Sequence, residues 1–152
     1  MHLDPGNLFV RLDAADKIDL LTKMGSHLLE QGYVKNSFVT AISEREMRYP
    51  TGLSGHGFGI AWPHVDSAHI IRPGIAVASL RQSVPFQMMG SPEETVDVRL
   101  VFMLLIKNPD EQVLWLRPLL ELVKDQDLMQ TLVDCDTPQL LYETLQGSFA
   151  GI

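Results

Sequence analysis

Between Asp13 and Gln31 the apolar residues Ile18, Leu21, Met24, Leu28 and Leu29 recur at three- and four-residue intervals, predicting an amphipathic helix that Gly32 stops. A second helix is expected to begin after Asn36 or Ser37, to turn Phe38, Ala41, Ile42 and Met47 inward, and to end before Pro50. The pattern then changes. Gly74 to Leu80 is β-branched and apolar; Val96 to Leu100 alternates and becomes wholly apolar through Ile106, as in a central strand covered on both faces. Gln87 to Glu94 reads as turn-rich, and Lys107-Asn108-Pro109-Asp110 breaks the long strand. Helical spacing returns from Glu111 to Lys124 at Val113, Leu116, Leu119, Leu120 and Val123, with Pro118 expected to kink the helix or delay its start. Leu128, Leu132 and Val133 mark a short helix, and Thr137-Pro138 reads as the cap and first residue of another. Helices, then strands, then helices predict an α/β fold, a single domain over residues 1–152 with a mixed β-sheet covered by helices on both faces. Strand order is left open.

Composition narrows the function classes. A chain of 152 residues that is 45% apolar can build a core without metal or disulfide support. Its net charge of -7 and the lack of a Lys/Arg cluster argue against nucleic acid or an anionic membrane, and favour basic protein partners. The longest apolar run, Leu100 to Ile106, has 7 residues, far short of the roughly 20 that a membrane helix requires. The single Cys135 lies between two predicted helices and reads as a core filler. With a first segment that lacks both a basic and an apolar region, a cytoplasmic location is expected.

Candidate chemistry centres on Gly59-Ile60-Ala61-Trp62-Pro63-His64-Val65-Asp66, where an apolar strand ends on a proline and presents an imidazole. Four glycines in the nine residues Thr51 to Gly59 deliver the chain to it, as a loop or hairpin whose backbone can approach a ligand closely. His56, His64 and His69 with Asp66 match no closed zinc motif, and His2 and His27 look incidental. Gly52-Leu53-Ser54-Gly55 lacks the spacing of a nucleophile elbow, and neither phosphate-binding glycine motif occurs. Phosphoryl transfer through histidine fits better. Neutral imidazole attacks through one nitrogen while the other is held protonated by an acceptor, and cations or donors balance the incoming charge. His64, Arg45 and Gln112 can supply those parts.

Arg45-Glu46, Thr51-Gly52, Ala61-Trp62-Pro63-His64, Pro73-Gly74-Ile75-Ala76-Val77, and Leu100 to Ile106 followed by Leu116, Leu119 and Leu120 stand in a definite order and spacing. In that order and spacing they resemble the IIA components of the bacterial sugar phosphotransferase system, in the fructose and mannitol superfamily. Within that superfamily the chain is most similar to the galactitol-specific type, through Asn7 to Arg11, Tyr49-Pro50-Thr51-Gly52, the spacing of His64 and His69, and Asn108-Pro109 before Gln112. Gln112 stands where many mannitol and fructose members carry a second histidine, which keeps an amide donor but removes a titratable proton.

The resemblance implies a mannitol/fructose EIIA-like fold in which His64 accepts a phosphoryl group from phospho-HPr and donates it to a cysteine of the cognate IIB component. A membrane IIC component of the same system would carry a polyol, with galactitol the implied one. Arg45 would balance the phosphate charge, Gln112 would add a neutral hydrogen bond, and amides of the glycine-rich approach could add donors. Asp66 and His69 would orient the ring, shape the rim or simply be solvated. No cofactor, metal or nucleotide is required. A regulatory EIIA domain of the nitrogen-related or activator-linked kind, and a noncatalytic protein-binding module of the same fold, are the competing readings. A monomer is the default.

Overall fold

A computed structural model describes residues 3–149; His2 lies outside them. The chain folds as β1 (Leu3–Leu12), α1 (Lys17–Glu30), α2 (Phe38–Arg48), β2 (Gly52–Leu53), β3 (Gly59–Ala61), β4 (Gly74–Met88), β5 (Ser91–Leu105), α3 (Glu111–Lys124), α4 (Gln126–Asp134) and α5 (Pro138–Ser148). A single-turn 3₁₀ helix, Ser67–His69, lies between β3 and β4. Asp16 caps α1 by accepting from the Asp19 N–H at 2.8 Å, Gly32 at φ 80° ends that segment, and Thr137 caps α5 as expected.

The sheet is mixed. β4 lies between β1, which runs parallel to it, and β5, which runs antiparallel; β3 is parallel to the other edge of β5. β2 pairs antiparallel with β3 and meets Met88 of β4 through Gly52, so the pairings among these four strands close on themselves. Alternation assigns the faces. Ala76, Ala78, Leu80, Val101, Met103 and Leu105 face α1 and α2 with Leu21, Met24, Leu28, Phe38 and Ile42. Ile75, Val77, Leu100, Phe102 and Leu104 face the C-terminal helices with Trp115, Leu119, Leu132 and Leu141. Helices therefore cover both faces of a mixed sheet.

Some expectations are corrected. The N-terminal segment, read as no element, is the strand β1, with only β4 as a partner among the described residues; as an edge strand it tolerates Pro5. The turn-rich stretch from Gln87 is a β-hairpin whose turn is confined to Met89 and Gly90, the latter at φ 79°. Met47 is 62% exposed, not inward, and Glu46 beside it takes the buried position. In α3, Val113 is 74% exposed and Leu120 is half-exposed, while Trp115 and Leu122 are buried, so the inner face is rotated from the expected one. The helix continues through Pro118 without interruption.

Candidate active site

His64 sits just beyond β3, where the sheet runs out. Ala61 is the last β3 residue paired with β5, at Val101; Pro63 then accepts from the Leu104 N–H at 3.0 Å, and His64 forms an isolated parallel bridge to Leu104. Proline cannot donate to a ladder, so its carbonyl carries this last tie. The imidazole is thereby delivered to the C-terminal end of β5, next to the start of α3.

The ring is held from two sides by Trp62. Nδ1 lies 3.0 Å from the Trp62 carbonyl oxygen, and because a carbonyl only accepts, Nδ1 must carry the proton. The indole stacks on the imidazole with centroids 5.0 Å apart and planes 28° apart. Nε2 is therefore the unprotonated nitrogen of the neutral ring, and it has no hydrogen-bond partner among the described residues. His64 is 6% exposed. Burial lowers its pKa below the ordinary histidine value; the bond to Trp62 opposes this, the Arg45 charge adds to the lowering, and Asp66 opposes it weakly. At neutral pH the ring is an uncharged nucleophile or base.

A cleft of about 240 Å³ adjoins the ring, lined by Arg45, His64, Val65, Asp66, Ser67, Ile106, Pro109 and Gln112. Arg45 comes from the last turn of α2, Gln112 from the first turn of α3, and Asp66 from the segment after His64. Residues far apart in sequence thus converge on one imidazole. Arg45 is anchored loosely, with Nη1 3.7 Å from an Asp66 oxygen and its guanidinium 5.3 Å from the Tyr49 ring centroid. Since the Asp66 side chain is 82% exposed, the pair is weak and the guanidinium is free to take a better anion.

The other candidates separate from this group. His69 bonds through Nδ1 to the Ser37 hydroxyl at 2.8 Å and lines a neighbouring depression with Glu44, Arg48 and Tyr49, on the far side of the Arg45 and Asp66 pair. His56 is exposed on the glycine-rich loop, and His27 is bonded to the Gly6 carbonyl. Among the described residues no three His, Cys, Asp or Glu side chains form a group that could hold a metal ion. Cys135 is buried with its thiol on the Thr131 carbonyl. The glycines of the approach do not line the cleft; Gly52, Gly55 and Gly59 serve close packing, and Gly57 takes a left-handed turn at φ 85°. A Cβ on Gly59 would lie 2.3 Å from both the Leu53 carbonyl oxygen and Val96 Cγ1, and one on Gly52 would lie 2.6 Å from the Gln87 carbonyl oxygen. No helix among the described residues is long and apolar enough to cross a membrane.

Sequence reasoning missed the support beneath the ring. Glu46 is 2% exposed and accepts from both the Thr51 N–H and the Thr51 hydroxyl, each at 2.7 Å, and the same hydroxyl oxygen accepts from the Trp62 N–H at 3.1 Å. The signal was present in Arg45-Glu46 and Thr51-Gly52, but nothing in a pattern of polar and apolar residues says that this glutamate turns inward.

Residues 1–148 match the protein family described as phosphoenolpyruvate-dependent sugar phosphotransferase system, EIIA 2. The galactitol-specific EIIA component of Escherichia coli K12 is 32% identical over 136 residues, covering 88% of this chain and 90% of that protein. The crystal structure of IIA mannitol from Escherichia coli superposes with a TM-score of 0.77 at 24% identity, over 95% of this chain and 99% of that one. A second match is the complex of enzyme IIA mannitol with phosphorylated enzyme IIB mannitol from Escherichia coli, with a TM-score of 0.76 at 26% identity over 96% and 98% of the two chains.

Proposed function

The chain belongs to the EIIA type 2 family of the phosphoenolpyruvate-dependent sugar phosphotransferase system, and on that premise we propose that it is a phosphocarrier that uses His64. EIIA components are phosphotransferases in general. The donor is phospho-HPr and the acceptor a cysteine of the cognate IIB component, which works in the cytoplasm with a membrane IIC component. Galactitol is the proposed polyol, supported by the relative that is 32% identical. A IIB partner is supported by the mannitol complex.

One observation carries this reading: Nδ1 is committed as a donor to Trp62, which leaves the Nε2 lone pair as the reactive one. In the step, Nε2 forms a bond to phosphorus while the bond from phosphorus to the donor imidazole breaks. The donor ring keeps the electron pair of that bond, and the Nδ1 proton of His64 stays in place against the Trp62 carbonyl. No proton needs to cross the site. Arg45 forks onto the equatorial phosphoryl oxygens and the Gln112 amide donates to them, so charge is balanced while both imidazoles compete for phosphorus. Because Nε2 is shielded from solvent, the side chains at the rim shift aside as the donor docks. The acidic balance of the chain, -7, suits a basic donor surface.

The test is incubation with enzyme I, HPr and labelled phosphoenolpyruvate. Wild type should acquire an acid-labile, base-stable label that His64→Ala lacks while keeping its fold by circular dichroism. Label retained by His64→Ala would refute the site; no label on wild type would favour a binding module of the same fold.

A further inference from the structure

The tie beneath His64 has an unusual construction. Glu46 is a carboxylate on the inner side of α2, where an apolar side chain could fill the space with less desolvation. Both its oxygens are occupied by one residue, Thr51. A hydroxyl has one proton and two lone pairs, and the Glu46 oxygens, each turned to a donor of Thr51, accept there. The Thr51 proton therefore goes to Glu46, and its oxygen turns a lone pair to the Trp62 N–H. Trp62 needs such an acceptor, because its N–H points away from β5 to the β2 side, where the pairing of β2 with β3 stops at Gly52 and Ala61 and leaves Thr51 opposite it. The carbonyl of this same Trp62 takes the Nδ1 proton of His64, and its indole stacks on the ring.

We propose that Glu46 is a positioning residue for His64, acting through the Thr51 hydroxyl and the Trp62 main chain to fix the imidazole as its Nδ1–H tautomer. The inference rests on His64 being the phosphoryl acceptor only for its kinetic readout. Where nothing accepts from Nδ1, neutral histidine places its proton mainly on Nε2, and the nitrogen proposed to attack would then be blocked. By orienting the Trp62 carbonyl, Glu46 and Thr51 keep that lone pair available without touching the ring or the phosphoryl group.

The test substitutes Thr51→Val, which preserves shape but removes the hydroxyl, and Thr51→Ser, which restores it. The first readout is two-bond ¹H–¹⁵N NMR of the His64 ring. Wild type and Thr51→Ser should show the single Nδ1–H pattern, and Thr51→Val a mixture with the Nε2–H form. The second is phosphorylation by phospho-HPr. Thr51→Val should lose about tenfold or more in kcat with KM for HPr within about twofold of wild type, and Thr51→Ser should recover it. A folded Thr51→Val with one Nδ1–H tautomer and unchanged kcat overturns the proposal, as does failure of Thr51→Ser to restore the tautomer. If Thr51→Val does not fold, Glu46→Gln decides by the same readouts, since an amide cannot accept at both positions. Wild type that takes no label sinks the phosphocarrier reading, and the tautomer result still judges the positioning of the ring.

Discussion

Arg45 and Glu46 are neighbours on one helix, yet they sit in opposite solvents. The Arg45 side chain is 30% exposed at the cleft beside His64 and pairs loosely with an exposed aspartate. Glu46 is buried, with both oxygens bonded at 2.7 Å. One hundred degrees of helical rotation separates consecutive residues, enough to send one charge to the cleft and the other into the buried layer between α2 and the sheet. The difference teaches how this site divides its work. On the proposed reaction, the group that meets a transient anion is left partly exposed and loosely paired, while the group that holds geometry is desolvated and saturated with hydrogen bonds.

The largest expected effect comes from the exposed member. Arg45→Ala removes the only forked cation among the residues lining the cleft, so phosphorylation by phospho-HPr should slow by about a hundredfold or more, as loss of a donor to developing charge does elsewhere. Its contacts are an exposed ion pair and a ring face, so the melting temperature should move little. Transfer at the wild-type rate would return Arg45 to an ordinary helix-end charge.

The buried member predicts a different signature, in stability and its pH dependence. Burial raises the Glu46 pKa from 4.5 to about 7, against the lowering by its bonds to Thr51 and by the charges of Lys17 and Arg45. A carboxyl whose pKa is raised on folding binds its proton more readily in the folded state. Its contribution is complete below the unfolded value near 4.5 and is lost as pH rises through about 7. The displacement corresponds to at most about 3 kcal/mol. Glu46→Gln does not titrate, so its melting temperature relative to wild type should rise by several degrees between pH 5 and pH 8. A flat difference would mean that Glu46 keeps the same charge across this range and that the contrast with Arg45 lies in geometry alone.

This pair also marks where the sequence could be read and where it could not. Period and punctuation placed α1, the start of α2 at Ser37 and the cap of α5 at Thr137, because those signals are local. The strand end at Pro63 and His64 announced itself for the same reason. β1 was missed because Asp4, Pro5 and Gly6 interrupt its alternation, and an edge strand with one partner tolerates that. The inner face of α2 was misplaced at Met47 because a hydrophobic count cannot anticipate a glutamate whose burial depends on a threonine five residues later. His64, Arg45 and Gln112 were legible as a set of residue types, and the structure brings them to one cleft. His69 does not join them there, since Ser37 holds it on the other side of Asp66.

The smallest effect should come from Asp66, and it tests whether Arg45 is as loosely held as its geometry indicates. At 3.7 Å and 82% exposure, the Asp66 carboxylate offers Arg45 a screened attraction worth at most about 1 kcal/mol. On the proposed function it would also face the incoming phosphoryl group with a like charge, and it opposes the lowering of the His64 pKa. Asp66→Asn removes all three influences. The released guanidinium can turn fully to the phosphoryl oxygens, repulsion falls, and the His64 ring stays neutral to slightly lower pH. Phosphorylation should therefore change by less than about fivefold, in the direction of acceleration, and the difference should shrink as salt is raised toward about 1 M. A loss of a hundredfold, equal to that of Arg45→Ala, would show instead that the pair acts as one unit, with the aspartate aiming the guanidinium. The division between a loosely paired charged rim and a fixed buried support would then have to be redrawn with Asp66 on the fixed side.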